Sequence, residues 1–563
     1  MSWCTVVREF LRKLSRRKMT PDELQNILNE VDRLYGVEEY ESAVTLILNH
    51  LNLDLSQAGK LEIHFNSNLA GLLVDVAGAA KHSLAETDPF FLKLEKCLEL
   101  VVEFFKINLD KIQRIYSQGS ANYNYANAVG TLLDYKRSVN PDHLKPEMGD
   151  LLNLARKQSL KALGSNPKNK LEVLTNLAHT LCKCSRVVEA VQIYDEVLRE
   201  DPNFFEALYS RSLDLQYLNM LTSSYSIKML YEIASGFRKA SLVETALPSR
   251  RQSASREYTE TIQVLRESDS SPEEMEKELS TNLAEFEAHP AARKYYLING
   301  LSLSEHGIYC HCAGASRDNL SILKTSGNIG GNFIPRHEYI LNQLKTEFSQ
   351  ARLTYYRAVT EPNDSYERHD FETCLSELGG NERLGARSEE LKSSFRQCFG
   401  ILDRIALGVC ELFDFPIEKS EKIYFENFWK GRMETPEEIQ RWEKLNSISG
   451  NPSLFALYYQ STDLNSKEGE WKKFKAWRNA LEHGFFVLHD GANPVNSYGM
   501  LDSKFPVIKM NYGEFENKTK DLLGFTRSAI FNYTFCVRRE GERTLHKQKT
   551  GKLMKIDKKM RAD

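Results

Sequence analysis

Trp477-Arg478-Asn479-Ala480-Leu481-Glu482-His483-Gly484-Phe485 is the stretch on which the reading of this chain turns. It falls within Trp471 to Leu488, a segment whose residue pattern reads as helix. At about 3.6 residues per turn, Asn479 and His483 are four apart and share a face. Arg478 lies one step round, with a side chain long enough to converge on the same spot. An arginine fork there would bind non-bridging phosphate oxygens, a histidine would move a proton near neutral pH, and the asparagine would orient one or the other. Lys472, Lys473 and Lys475, just upstream, add positive potential. The combination suits RNA cleavage in which a substrate 2′-hydroxyl attacks the adjacent phosphate, a reaction that needs no metal. A solvated arginine and an ordinary packed histidine are the alternative for the same spacing.

Working outward, the chain has 563 residues, too many for one core. Its 41% hydrophobic and 27% charged content is that of a globular protein, and apolar residues recur at spacings of three and four almost throughout. The expected class is therefore all-α. Net charge is −3, so any nucleic-acid site must be local rather than a property of the whole surface. The ten cysteines are dispersed and read as reduced thiols in a cytoplasmic protein. No apolar block approaches the roughly 20 residues of a membrane helix, and no secretory signal opens the chain. The basic first 20 residues read as a solvated helix end.

Residues 1–240 read as helix pairs. Leu174, Leu177, Ala178, Leu181, Ala190, Tyr194, Val197 and Leu198, closed by Asp201-Pro202, resemble a tetratricopeptide (TPR) repeat, whose small residues let two helices approach closely. Asn68-Leu69-Ala70 and Asn127-Ala128-Val129 echo its Asn176-Leu177-Ala178. A lone pair cannot bury its apolar face, so these pieces should stack into a TPR-like α-solenoid able to bind a peptide, a partner domain or another copy of the chain. Helices that only brace the C-terminal domain are the alternative.

Residues 241–335 turn to Ser, Arg and Glu and read as a mobile linker with one or two charged helices, followed by an irregular insert. The insert carries His306-Gly307-Ile308-Tyr309-Cys310-His311-Cys312. Thiolate and imidazole are zinc ligands. Yet there is no second pair at finger-like spacing, and consecutive Cys-His-Cys does not easily aim three side chains at one ion. Buried thiols beside a turn are the preferred reading; a metal completed by His369 or Cys374 is the alternative. No cofactor is expected. The glycine run at 326–332 lacks the lysine of a phosphate-binding loop and reads as a plain loop.

Residues 336–540 read as a helical bundle, with amphipathic stretches at Glu338–Ala358, Ser388–Phe413, Pro452–Leu464 and Phe515–Cys536. From Arg538 onward ten basic residues face four acidic ones. This tail, 541–563 in the domain division, is either solvated or a sliding contact for RNA phosphates.

Taken in order, Leu402-Asp403-Arg404-Ile405-Ala406, the segment Ile423-Tyr424-Phe425-Glu426-Asn427-Phe428-Trp429, then Tyr458 to Leu464 and the Arg478-to-His483 motif resemble the HEPN superfamily. Its nucleases share an arginine, four intervening residues and a histidine, often with asparagine after the arginine. The order also resembles a bacterial HEPN subfamily preceded by TPR-like helices. The resemblance implies a metal-independent endoribonuclease acting on single-stranded or loop RNA in stress, toxin or antiphage roles, and a homodimer in which two motifs share one cleft. It makes Arg478 and His483 catalytic and Asn479 supporting. Glu482 either positions the arginine or faces water, and Asp403 is the candidate acid orienting Arg478 or His483. HEPN toxins silenced by a nucleotidyltransferase carry tyrosine two residues after the histidine; Phe485 stands there, so the TPR-like helices become the expected regulator. A non-catalytic RNA- or protein-binding scaffold is the competing expectation, and a zinc enzyme centred on His306, Cys310 and Cys312 the third.

Overall fold

A computed structural model describes residues 20–560, apart from 82–83, 117, 140–145, 166, 223–225, 323–332, 363, 374–380, 418–421, 430–434, 449, 466–468, 470 and 492–506. Of residues 138–139, 146–148, 333–335 and 544–560 only the backbone is described. The basic N-terminus, the glycine run at 326–332, Cys374 and the side chains of the tail beyond Arg543 thus lie outside the described residues. The chain divides into two compact units, Met1–Lys183 and Cys184–Asp563. The division falls between the two helices that the sequence pairs as one repeat, well before residue 240.

The first unit is built from α1 (Pro21–Gly36), α2 (Tyr40–His50), α3 (Lys60–Ala80), α4 (Pro89–Gln113), α5 (Gln118–Val139), α6 (Pro146–Gly164) and α7 (Lys170–Lys183). Each helix packs on the next, and α1, α3, α5 and α7 also touch along their own series, the contact pattern of a helical array. Local chemistry sets the starts: Thr20 caps α1 in a reciprocal capping box with Glu23, ahead of Pro21. Alanines at 70, 77, 126 and 128 are buried, permitting close approach. The repeat-equivalent asparagines meet directly, Asn176 Nδ2 donating to Asn127 Oδ1 at 2.5 Å.

The second unit continues with α8 (Val187–Glu200), α9 (Phe205–Thr222), α10 (Ile227–Ser241), α11 (Pro248–Glu267), α12 (Pro272–Ala288), α13 (Ala291–Ile298) and the single turn α14 (His306–Tyr309). Residues 241–288 differ from the expected mobile linker. Helix α11 packs along α10, and Ala254 joins Phe205, Leu208, Ala240 and Val243 in one core cluster. Four buried residues on α11, Ala254, Thr261, Ile262 and Leu265, form a stripe too sparse to show against the surrounding charge.

The bundle comprises α15 (Phe333–Thr360), α16 (Asp364–Thr373), α17 (Ala386–Phe413), α18 (Pro436–Ser447), α19 (Pro452–Asp463), α20 (Lys472–His483) and α21 (Tyr512–Met560). Helix α21 packs on α15, α17 and α19, and on α8 and α9 as well. A buried ionic cluster fixes the contact with α8. Arg186, ahead of α8, reaches Asp463 at 2.5 Å and Glu189 at 2.6 Å. Glu189 also accepts from Gln460 Nε2 at 2.8 Å and from Ser528 Oγ at 3.0 Å.

The motif helix is shorter than expected. It ends at His483, with Gly484 N–H bonded to Ala480 O at 3.0 Å, and Phe485–His489 leaves as strand β1. β1 pairs in parallel with β2 (Val507–Asn511), Phe485 opposite Val507. Glycine weakens the helix at 484, and the following aromatic and β-branched run favours extended backbone. Among the described residues these are the strands of the fold, so the all-α class holds with a two-stranded appendage. At the C-terminus the helix runs on to Met560, far past Cys536.

Candidate functional site

Helix α20 is anchored by one face. Phe474 and Trp477 are its buried residues; Trp477 lies 5.0 Å from Phe474, 6.0 Å from Phe395 and 6.3 Å from Phe515, ring centre to ring centre. Burial of each such aromatic contributes about 1.5–3 kcal/mol, enough to hold a short polar helix. The opposite face presents Arg478, Asn479, Glu482 and His483.

Arg478 is held on four sides. Its Nη2 lies 3.3 Å from Asp403 Oδ2 on α17, and its Nε donates to Glu482 Oε1 at 3.3 Å. Its guanidinium sits over the rings of Phe399 and Tyr424, 5.4 and 5.5 Å from their centres. Burial opposes its charge, but Asp403 and Glu482 more than compensate and raise its pKa. Asp403 is in turn fixed by the Phe425 N–H, which donates to Oδ1 at 3.0 Å. Burial pushes the Asp403 carboxyl up to about 6, against the opposing pull of that N–H and of Arg478.

His483, by contrast, stands in solvent with its side chain 80% exposed. Glu482 connects the two: one carboxylate oxygen accepts from Arg478, and the other lies 3.7 Å from His483 Nε2. Asn479 is exposed, as are Lys472 and Lys473. Lys475 is engaged elsewhere. It pairs at 2.6 Å with the buried Glu426, beside the Tyr424 ring. Tyr424, Phe399 and Glu426 thus shape the site. The segment 423–429 pointed to Tyr424 and contains Glu426, but gave Glu426 no role.

The insert brings together a second set of groups. His306, Cys310 and Cys312 place ligand-type atoms within 4.8 Å of one another. Sequence adjacency misleads here, because the turn of α14 carries His306 onto the two thiols while His311, between them, packs on Phe286 at 4.9 Å. His369 sits on the exposed side of α16.

These features define the class first: an all-α domain with a half-buried arginine and an exposed histidine joined through a carboxylate. Comparison is consistent with that outline. Residues 330–540 match the family model described as LA2681-like HEPN. No curated protein matches the chain. No helix among the described residues is long and apolar enough to cross a membrane.

Proposed function

We propose that the protein is an endoribonuclease that cuts single-stranded or loop RNA by attack of the substrate's own 2′-hydroxyl. The observation that carries this reading is the division of labour on α20: Arg478 is fixed between two carboxylates and two rings, while His483 beside it is free to take and return a proton. Arg478 Nη1 has no protein partner among the described residues and would donate to a non-bridging phosphate oxygen. His483 would accept the 2′-hydroxyl proton as the 2′-oxygen forms its bond to phosphorus and the phosphorus–5′-oxygen bond breaks. The leaving 5′-oxygen takes a proton from an acid on the opposite side, leaving a 2′,3′-cyclic phosphate and a 5′-hydroxyl.

That second acid is best supplied by His483 of another copy, since the motif lies open and Phe485 next to it is 46% exposed. A homodimer with a shared cleft follows. Asn479 would orient the phosphate, and Lys472 and Lys473 would guide the strand. We further assign the N-terminal helices a TPR-like sensing role in a stress or defence effector, Phe485 leaving no tyrosine for nucleotidyl transfer.

The test is incubation of the purified chain with total RNA in EDTA, followed by sequencing of new 5′ ends. Cuts at defined sites, blocked by a single 2′-deoxy substitution at the cut, are expected. RNA binding without cleavage would instead favour the scaffold reading.

A further inference from the structure

We infer that His306 Nδ1, Cys310 Sγ and Cys312 Sγ form a three-ligand site for a thiophilic divalent ion, zinc in the first instance, that pins the α14 turn to the strand-like segment after it. The geometry is close to what zinc requires. Cys310 Sγ and Cys312 Sγ are 3.2 Å apart, and Cys312 Sγ is 3.4 Å from His306 Nδ1. Tetrahedral zinc, with bonds of about 2.3 Å to sulfur and 2.0 Å to nitrogen, places sulfurs about 3.8 Å apart and sulfur and nitrogen about 3.5 Å apart. Cys310 Sγ and the His306 ring lie within 4.8 Å, so opening the thiols by about half an ångström and bringing Cys310 and His306 to about 3.5 Å would complete the set. The sulfur separation is also well beyond the roughly 2.05 Å of a disulfide bond.

The backbone that presents these groups is fixed independently of any ion. Cys310 N–H bonds to His306 O at 2.7 Å, closing the turn, and Ala315 N–H bonds to Cys312 O at 2.9 Å. Arg527 of α21, fully buried, donates to Ser302 O at 2.7 Å and to Gly307 O at 3.1 Å. Such preorganisation lowers the entropy lost on binding. Gly314 borders the cluster: a Cβ there would stand 3.6 Å from Cys312 Sγ and 3.7 Å from His306 Nδ1. With no side chain on that flank, a water can take the fourth position, as in zinc sites with three protein ligands. Nearby Lys228 and Arg211 are occupied by Glu278 and Asp195 and do not compete for the sulfurs.

The site is separate from the α20 motif and does not depend on its reading. The loop it occupies is held to α21 by Arg527, on the helix whose Phe515 and Phe525 pack on Trp477 and Trp471.

The test uses the full chain, reduced and stripped with a chelator, titrated anaerobically with cobalt(II). One ion per chain should bind, with a thiolate-to-cobalt charge-transfer band in the near ultraviolet that zinc abolishes by displacement. Cys310→Ser and Cys312→Ser should each lose most of the band. His306→Ala should weaken binding at least about tenfold, whereas His311→Ala should leave it unchanged. Absence of the band in the reduced wild type would overturn the site without reference to any variant. So would equal loss in His311→Ala and His306→Ala, or isolation of a Cys310–Cys312 disulfide that takes up no metal after reduction.

Discussion

Arg186 and Arg478 are each held by two carboxylates, yet they do different things. Arg186 is 3% exposed, and all three of its nitrogens are taken: Nε and Nη2 by Glu189 and Nη1 by Asp463, at 2.5 to 2.9 Å. Arg478 is 16% exposed, its two ionic contacts are both 3.3 Å, and Nη1 is left over among the described residues. The first arrangement is complete and serves to join α8 to α19. The second is fixed in position but leaves a donor over, which suits the phosphate-binding role proposed for it.

The largest effect is expected at the buried pair. Asp463→Ala leaves Arg186 paired with Glu189 alone and its buried Nη1 without an acceptor, and should lower stability by about 1–3 kcal/mol in urea denaturation. A loss below that of a surface pair would show the cluster to be solvated. Next comes pH. Asp403 has a folded pKa of about 6, above the ordinary carboxylate value, so the folded form binds the extra proton between pH 4 and 6. Its contribution is therefore greatest below pH 4 and is lost as pH rises through 6, by about 3 kcal/mol at most. Asp403→Asn removes that slope. Thermal unfolding of variant and wild type across this range should diverge with rising pH in favour of the variant; parallel curves would contradict the assignment.

Smaller effects sharpen the active side. Glu482→Gln replaces a charged acceptor with a neutral one and should slow cleavage about fivefold while leaving unfolding unchanged. Finally, Lys472→Gln with Lys473→Gln should weaken RNA binding and flatten its salt dependence, whereas Lys475→Gln should leave the salt slope as it is. An equal change in slope for Lys475→Gln would mean that its pairing with Glu426 opens on RNA.

How much of this was legible in the sequence depends on distance along the chain. The helix carrying Arg478 to His483 could be read, because spacing on one helix is local. Its end could not, since Gly484 and the Phe485–His489 run were hidden by apolar residues that suit either helix or strand. The engagement of Lys475 was invisible because Glu426 lies 49 positions earlier and faces it only after folding. At the insert the sequence offered His306, Cys310 and Cys312 as one alternative, but Cys310-His311-Cys312 looked unfit for one ion; whether residues 306–309 form the single turn that sets His306 beside the thiols is not fixed by so short a segment. The charged helices expected over 241–288 are present, but their packing was hidden for a related reason: α11 has only three buried apolar residues among many charges.

Arg478 and His483 on α20 carry the proposed cleavage, and their removal tests it. Purified wild type, Arg478→Ala and His483→Ala are incubated with RNA in EDTA, with each variant's thermal unfolding recorded alongside. Wild type should cut, and both variants should be slowed by about a hundredfold or more while unfolding within a few degrees of wild type. Undiminished cleavage by both folded variants would contradict the account.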